Sequence, residues 1–361
     1  MAVHTPTAFT SSAVQTACDT CYGVGGGMVY CAAGTYNWTG QVTIKSAVQV
    51  VGDGWGLGTD GTATLFKQAN STNINGAMLK FYTSNGTDAN CHNAGIHRLR
   101  LDGNKANNSG QATQGISAVT NPLWNASTND NSSIGWDMHN SITDVHVWNM
   151  KGDGYNANGR SEMNLSRVFI RGCDGNGFVP SADTNLSQCV AGVNGLAGFL
   201  IDGQGSVRLT CCKAWYSGQV TAASGHGFYI NNCNSGTVIL DGCEAQDNKA
   251  AGYYINASMS CVLDVVADSN STSGAGSYPA VLLNNSHGNV INCAAMDRAG
   301  SGTQTYVLKL NGTSRGNFIN ATNRWLNNPG SSGGIDPGST NTGNKINVYR
   351  INGSTETLTQ V

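Results

Sequence analysis

Three short segments hold most of the side chains in this sequence that could do chemistry on a bound molecule. "HRLRLDG" offers Arg98, Arg100 and Asp102; "TDVHVWN" offers Asp144, His146 and Trp148; "SRVFIRG" offers Arg167, Phe169 and Arg171. In each, apolar residues alternate with polar or aromatic ones, the period of a strand with one face in and one face out. Two later segments add Asp183 and Arg208. If such strands stack, the outward residues form columns: Arg98/Asp144/Arg167/Asp183, Arg100/His146/Phe169/Arg208 and Asp102/Trp148/Arg171. Charged residues are only 11% of the chain, so a face that gathers so many of them stands out.

Arginine forks bind carboxylates or sulfates bidentately, and Trp148 and Phe169 are suited to stack on sugar rings. The face therefore suits an acidic glycan. Abstracting a proton alpha to a uronate carboxylate needs a base and a neutralising cation. His146 is the candidate base, with Arg167, Arg171 or Arg100 as neutralisers. Glycoside hydrolysis needs two carboxyl groups at a defined separation; Asp144 with Asp183, or Asp102 with Asp144, are the available pairs. Flanked by Arg98 and Arg167, Asp144 is expected to stay ionised, which suits a base better than an acid. His146, Asp144 and Arg167 are thus the catalytic candidates. Arg98, Arg100, Asp102, Trp148, Phe169, Arg171, Asp183 and Arg208 are the binding candidates. The alternative is structural: alternating Arg and Asp on adjacent strands also balances an exposed sheet.

Other motifs carry less. "VGGGMVY" lacks a following Lys-Ser/Thr and opens no helix, so it is not a phosphate loop. Cys18, Cys21 and Cys31 have no fourth zinc ligand nearby, and no spaced acidic loop suggests calcium. No metal or cofactor is expected. Glu244, Asp247 and Lys249 form a second charged cluster that reads as a solvated turn. The insertion at 104–141, with Trp124, Trp136 and His139, is placed to wall a groove beside the charged face.

The elements that must position these residues repeat. Glycine-aromatic pairs recur at Gly154-Tyr155, Gly177-Phe178, Gly198-Phe199, Gly227-Phe228 and Gly252-Tyr253, at the spacing of a solenoid. "VHVWNMKGDGY" aligns without gaps on "VFIRGCDGNGF", and continuing the alignment puts Met150, Cys173, Cys189, Cys212, Cys243, Val265 and Cys293 in one column. The expected structure is an all-β, single-stranded, right-handed parallel β-helix whose coils stack about 4.8 Å apart. The cysteines are expected as a ladder of buried free thiols, and turn asparagines as stacked amides.

A solenoid needs lids. Ser12 with Gln15 suggests a capping box, and Val14, Ala17, Cys18 and Cys21 fall on one helical face. Residues 1–24 are read as an arm and capping helix and 25–326 as the β-helix. Residues 327–361 are read as a Gly/Ser/Asn-rich loop followed by a strand from Lys345 to Ile351. The net charge of −2 disfavours nucleic acid. No apolar run suggests membrane insertion, and no signal peptide is recognised at the N-terminus.

A helix followed by "GGGMVYCAAGTYNWTGQVTIKSAVQVVGDG" resembles the entry coil of the pectate-lyase-like right-handed β-helix superfamily. Later coils, "GCEAQDNKAAGYYI" above all, are similar to those of bacteriophage tail spikes and tail fibres. The resemblance implies a virion protein that binds a bacterial surface polysaccharide on the outer face of its β-helix, as a homotrimer alongside other virion proteins. It leaves open a polysaccharide lyase or hydrolase, and a structural or capsid-decorating protein. It supplies no catalytic residues.

Overall fold

Each coil is built from two or three strands joined by tight corners, and strands one coil apart pair in parallel. The result is a right-handed parallel β-helix with a short N-terminal helix. The computed structural model describes residues 2–56, 62–81, 91–118, 139–157, 163–273, 277–297, 304, 306–325, 335–336, 341–352 and 355–360. The chain divides into two compact units, Met1–Gly175 with Val179–Asn185, and Asn176–Phe178 with Leu186–Val361.

In the first unit the helix Ser11–Gly23 buries Val14, Ala17, Cys18 and Cys21, the face expected from their spacing. Its cap differs from the expected one. Thr10, not Ser12, is the N-cap, its hydroxyl accepting from the Ala13 amide at 3.2 Å. Gln15 does not reach back to the helix start. Its side chain accepts from the Thr43 amide at 2.7 Å and donates to the Thr43 carbonyl at 3.2 Å, so it satisfies the open edge of the strand Val42–Ile44. Lys45 and Asp19 tie helix to coil at 2.9 Å, and the strand Ala2–His4 pairs with Gly27–Val29.

In the second unit Phe178, Phe199, Phe228 and Tyr253 stack with centroids 4.7, 4.8 and 5.1 Å apart. The glycine before each aromatic is needed for space. A Cβ at Gly227 would lie 2.7 Å from the Gly252 carbonyl oxygen, and one at Gly198 2.7 Å from that of Gly227. Amide ladders run beside this stack: Asn231 donates to Asp202, Asn256 to Asn231 and Asn284 to Asn256, each at 2.7 Å. The strand expected at Lys345–Ile351 spans Lys345–Asn352. It extends the parallel sheet beyond Phe318–Trp325 and forms an antiparallel pair with Thr355–Gln360.

All twelve cysteines are free, and all but Cys211 are buried. Their column needs correcting. Cys243, Val265 and Cys293 are abreast, and the residues after Cys189, Cys212 and Cys243 are abreast too. Met150 and Cys173 belong to a different corner. They follow left-handed Asn149 and Gly172 at the end of the second strand of a coil, whereas Cys189 and Cys212 follow left-handed Gln188 and Cys211 at its start. Trp148 does face Arg171, so the first gapless alignment holds. Coil lengths then change, and the continuation slips by one strand.

Candidate functional site

The charged face lies on the first unit, where the strands Gly95–Asp102, Asn140–Trp148 and Phe169–Arg171 are adjacent. Leu99, Leu101, Val145, Val147, Val168 and Ile170 point inward and are buried, so their neighbours must point out. Arg98, Asp144 and Arg167 sit at the corner before this stretch, all left-handed with φ of 53°, 56° and 53°, a region few L-residues adopt. Arg167 donates through Nε and Nη2 to Asp144 at 2.6 and 2.8 Å. That bidentate hydrogen bond holds the Asp144 carboxyl below the usual carboxylate range, against the opposing effect of burial. Both groups are thereby occupied with each other.

Arg100, His146 and Phe169 are abreast in the next column. The imidazole stacks on Phe169 at 4.9 Å and 9°, with Trp148 5.8 Å away and the Trp55 ring edge-on at 5.6 Å. An outward register would leave His146 exposed, but these rings reduce its exposure to 1%. Neither ring nitrogen has a hydrogen-bond partner. Burial, reinforced by Arg100 and Arg171, pushes its pKa from 6.5 to about 4, so the ring is neutral near pH 7. Leaving such groups unsatisfied costs on the order of 1–3 kcal/mol each.

Asp102, Trp148 and Arg171 form the third column. The Trp148 ring has the Arg100 guanidinium carbon 4.3 Å from its centroid and that of Arg171 at 6.0 Å. Arg100 is buried and its Nε has no partner. Asp102 accepts from the Asn104 amide at 2.9 Å and is abreast of Lys67. A cleft of 380 Å³ opens there, lined by Asn37, Lys67, Asn70 and Asn104 among others.

Two expected members do not join these columns. Asn185 bonds Asn164 at 3.2 Å, and Asn164 is abreast of Ser141. Asp183 therefore sits at the head of its strand, level with His139 and well before Asp144. Arg208 belongs to the second unit, abreast of Ile239. It precedes its left-handed corner residue, Cys211, whereas Arg100, His146 and Phe169 follow theirs. The slipped alignment that misplaced the cysteines misplaced both residues. Trp124 and Trp136 lie outside the described residues; His139 is exposed. Glu244 pairs with Lys213 at 3.0 Å and Asp247 is a left-handed corner residue, in keeping with a turn.

Some residues near the face escaped sequence reasoning. Trp55 follows the Gly52–Gly54 turn and showed no periodicity. His97 meets Gln49 at 2.7 Å, and the Tyr30 hydroxyl donates to Asp53 at 2.6 Å. In the second unit His226 is buried, its Nδ1 unpartnered, with Tyr254, Tyr229 and Tyr278 at 4.8, 5.4 and 6.0 Å.

No protein-family model matches the sequence. The A-module of a mannuronan C-5 epimerase, AlgE6, from Azotobacter vinelandii superposes with a TM-score of 0.65 at 19% identity, covering 93% of this chain and 94% of the module. A tailspike domain of bacteriophage CBA120, described as enzymatically active, gives 0.67 at 16% identity, covering 86% of this chain and 44% of that one. The chain has the parallel β-helix fold of these proteins. By sequence, it is 30% identical over 206 residues to mannuronan C5-epimerase AlgE2 of Azotobacter vinelandii. That match covers 54% of this chain but only 16% of the epimerase. Among the described residues no helix is long and apolar enough to cross a membrane.

Proposed function

We propose that this chain binds an acidic polysaccharide on the first unit, across the face made by Arg100, His146, Trp148 and Arg171. The observation that carries the reading is the Trp148 indole with two guanidiniums near its ring, 4.3 and 6.0 Å from the centroid, beside a buried neutral imidazole with no hydrogen-bond partner. The indole accepts a sugar ring, and the guanidiniums donate to its carboxylate. The setting we propose is a virion: a tailspike-like protein, trimeric and accompanied by other virion proteins, engaging a host surface glycan. The tailspike domains that share its fold are consistent with that setting.

A second reading is favoured by the sequence match. Mannuronan is a polyuronate, and a protein 30% identical to its epimerase over 206 residues is a candidate to modify such a polymer rather than only to hold it. The Asp144 carboxylate closed by Arg167 and the weakly basic His146 argue for holding.

One experiment separates the two. The protein is incubated with polymannuronate and with host capsular polysaccharide, and binding, reducing ends, unsaturated uronate and C5 inversion are followed. Binding without any product supports the first reading, and product formation the second. Binding unchanged by Arg100→Ala together with Trp148→Ala would sink this face as the site.

A further inference from the structure

The second unit has a groove whose origin lies in the lost corner of its coils. Gln188, Cys211 and Gly242 are left-handed at the first corner. After Gly242 the pairing slips by one residue, between Asp241 and Cys243, and the strands Val262–Asp268, Val290–Asp297 and Phe318–Trp325 run through without a left-handed residue. One residue fewer turns a sharp corner into a continuous arc. A concave groove of 410 Å³ follows this arc.

Its floor is made of small side chains, Val265, Cys293 and Ala321, and one wall of Val266, Ala294 and Thr322. Tyr349, 47% exposed, stands at the far end. The opposite wall is polar, one side chain per coil: Asp241, Asp264, Asn292 and Asn320, successively abreast. Asn320 donates to Asn292 at 3.2 Å. Asp241 and Asp264 are exposed and have no ion-pair partner among the described residues. Like charges directly abreast on neighbouring strands repel.

We infer that this groove binds a linear glycan carrying free amino groups. Its polar wall offers a hydrogen-bonding group about every 4.8 Å along the axis, which matches an extended chain rather than a compact ligand. The paired carboxylates complement ammonium groups, and the shallow small-residue floor admits flat sugar rings. This site is separate from the one proposed for acidic glycans and selects the opposite charge.

Titration calorimetry on the full chain tests it with three probes: a glucosamine hexamer with free amines, its fully N-acetylated form, and a hexamer of mannuronate. The free-amine hexamer is expected to bind at least tenfold more tightly than the acetylated one. The double variant Asp241→Asn with Asp264→Asn, and Ala294→Trp filling the groove from its apolar wall, should each weaken that binding tenfold or more while leaving the thermal midpoint within a few degrees. Arg100→Ala should leave it unchanged while weakening the mannuronate hexamer. Equal binding of both glucosamine forms, no binding, or full binding by the double variant overturns the inference. Failure of the mannuronate arm alone overturns only the site on the first unit.

Discussion

Arg100 lies against Trp148 diagonally across two strands, its guanidinium carbon 4.3 Å from the ring centroid. The contact pre-orients a buried cation whose own pKa burial has lowered, and a desolvated cation–π contact of this kind is worth up to about 2 kcal/mol. Replacing Arg100 by Lys keeps the charge but loses the planar fork. Binding of a mannuronate oligomer, measured by calorimetry, should fall about tenfold in Arg100→Lys and further in Arg100→Ala. Trp148→Ala should match the Lys variant. The inward partners Leu101 and Val147 are untouched, so the fold should persist in all three.

His146 makes the protein acid-sensitive. Its pKa is 6.5 when unfolded and about 4 in the fold, so the unfolded chain binds the extra proton between those values. Stability from this residue is fully present above pH 6.5 and declines as the pH falls toward 4. The loss is on the order of 3 kcal/mol, at about 1.4 kcal/mol per unit. His146→Phe keeps the stack on Phe169 and removes the proton. Its denaturant midpoint should therefore fall less than the native protein's between pH 7 and 4.5. Equal falls would show that other groups, His226 among them, dominate.

Gly227→Ala should destabilise more than an ordinary surface change. The added methyl carbon would meet a backbone carbonyl at 2.7 Å and the Ala245 methyl at 2.8 Å, contacts that backbone cannot yield cheaply. Overpacking of this kind costs roughly 1–3 kcal/mol. A thermal scan on the purified variant checks it.

Asn317→Ala removes an amide that accepts from the Asn289 backbone at 3.0 Å, donates to Ser286 at 3.1 Å and bonds Asn344 at 2.9 Å. The orphaned Asn289 amide is buried, so the expected cost is roughly 1–3 kcal/mol. Amide exchange at Asn289 should quicken in the variant well before global unfolding.

Gln15→Ala opens the edge of the strand Val42–Ile44. Two backbone hydrogen bonds are lost, and an unpaired edge templates association. The expected outcome is a modest drop in thermal midpoint with faster aggregation by light scattering, both restored in Gln15→Glu only where the Thr43 amide is the dominant partner.

The fold was legible because its signals repeat. Glycine before an aromatic recurs since each next coil's carbonyl occupies the space a methyl would need, and alternation marks the inward residues directly. The columns of the charged face were read correctly from Arg98 to Arg171, where the strands keep one length. Asp183, Arg208 and the cysteine column went astray together, because corners are gained and lost by single left-handed residues that composition does not reveal. Trp55 could not be seen at all. It reaches His146 through space from a turn with no period of its own.

The amides of the second unit bond their counterparts 28 residues on: Asn256 with Asn284, Cys261 with Asn289, Ser286 with Ser314 and Asn289 with Asn317. Over this stretch the hydrogen-bond ladder repeats on translation by one coil, although the side chains packed inside it change, as from Tyr253 to Val281 to Leu308. Unequal recombination that copied or dropped one such block would hand every ladder residue the same neighbours it had before. The length of the protein, and with it the reach of any groove on its side, is thus free to drift by whole coils while the hydrogen-bond ladder that joins one coil to the next is kept.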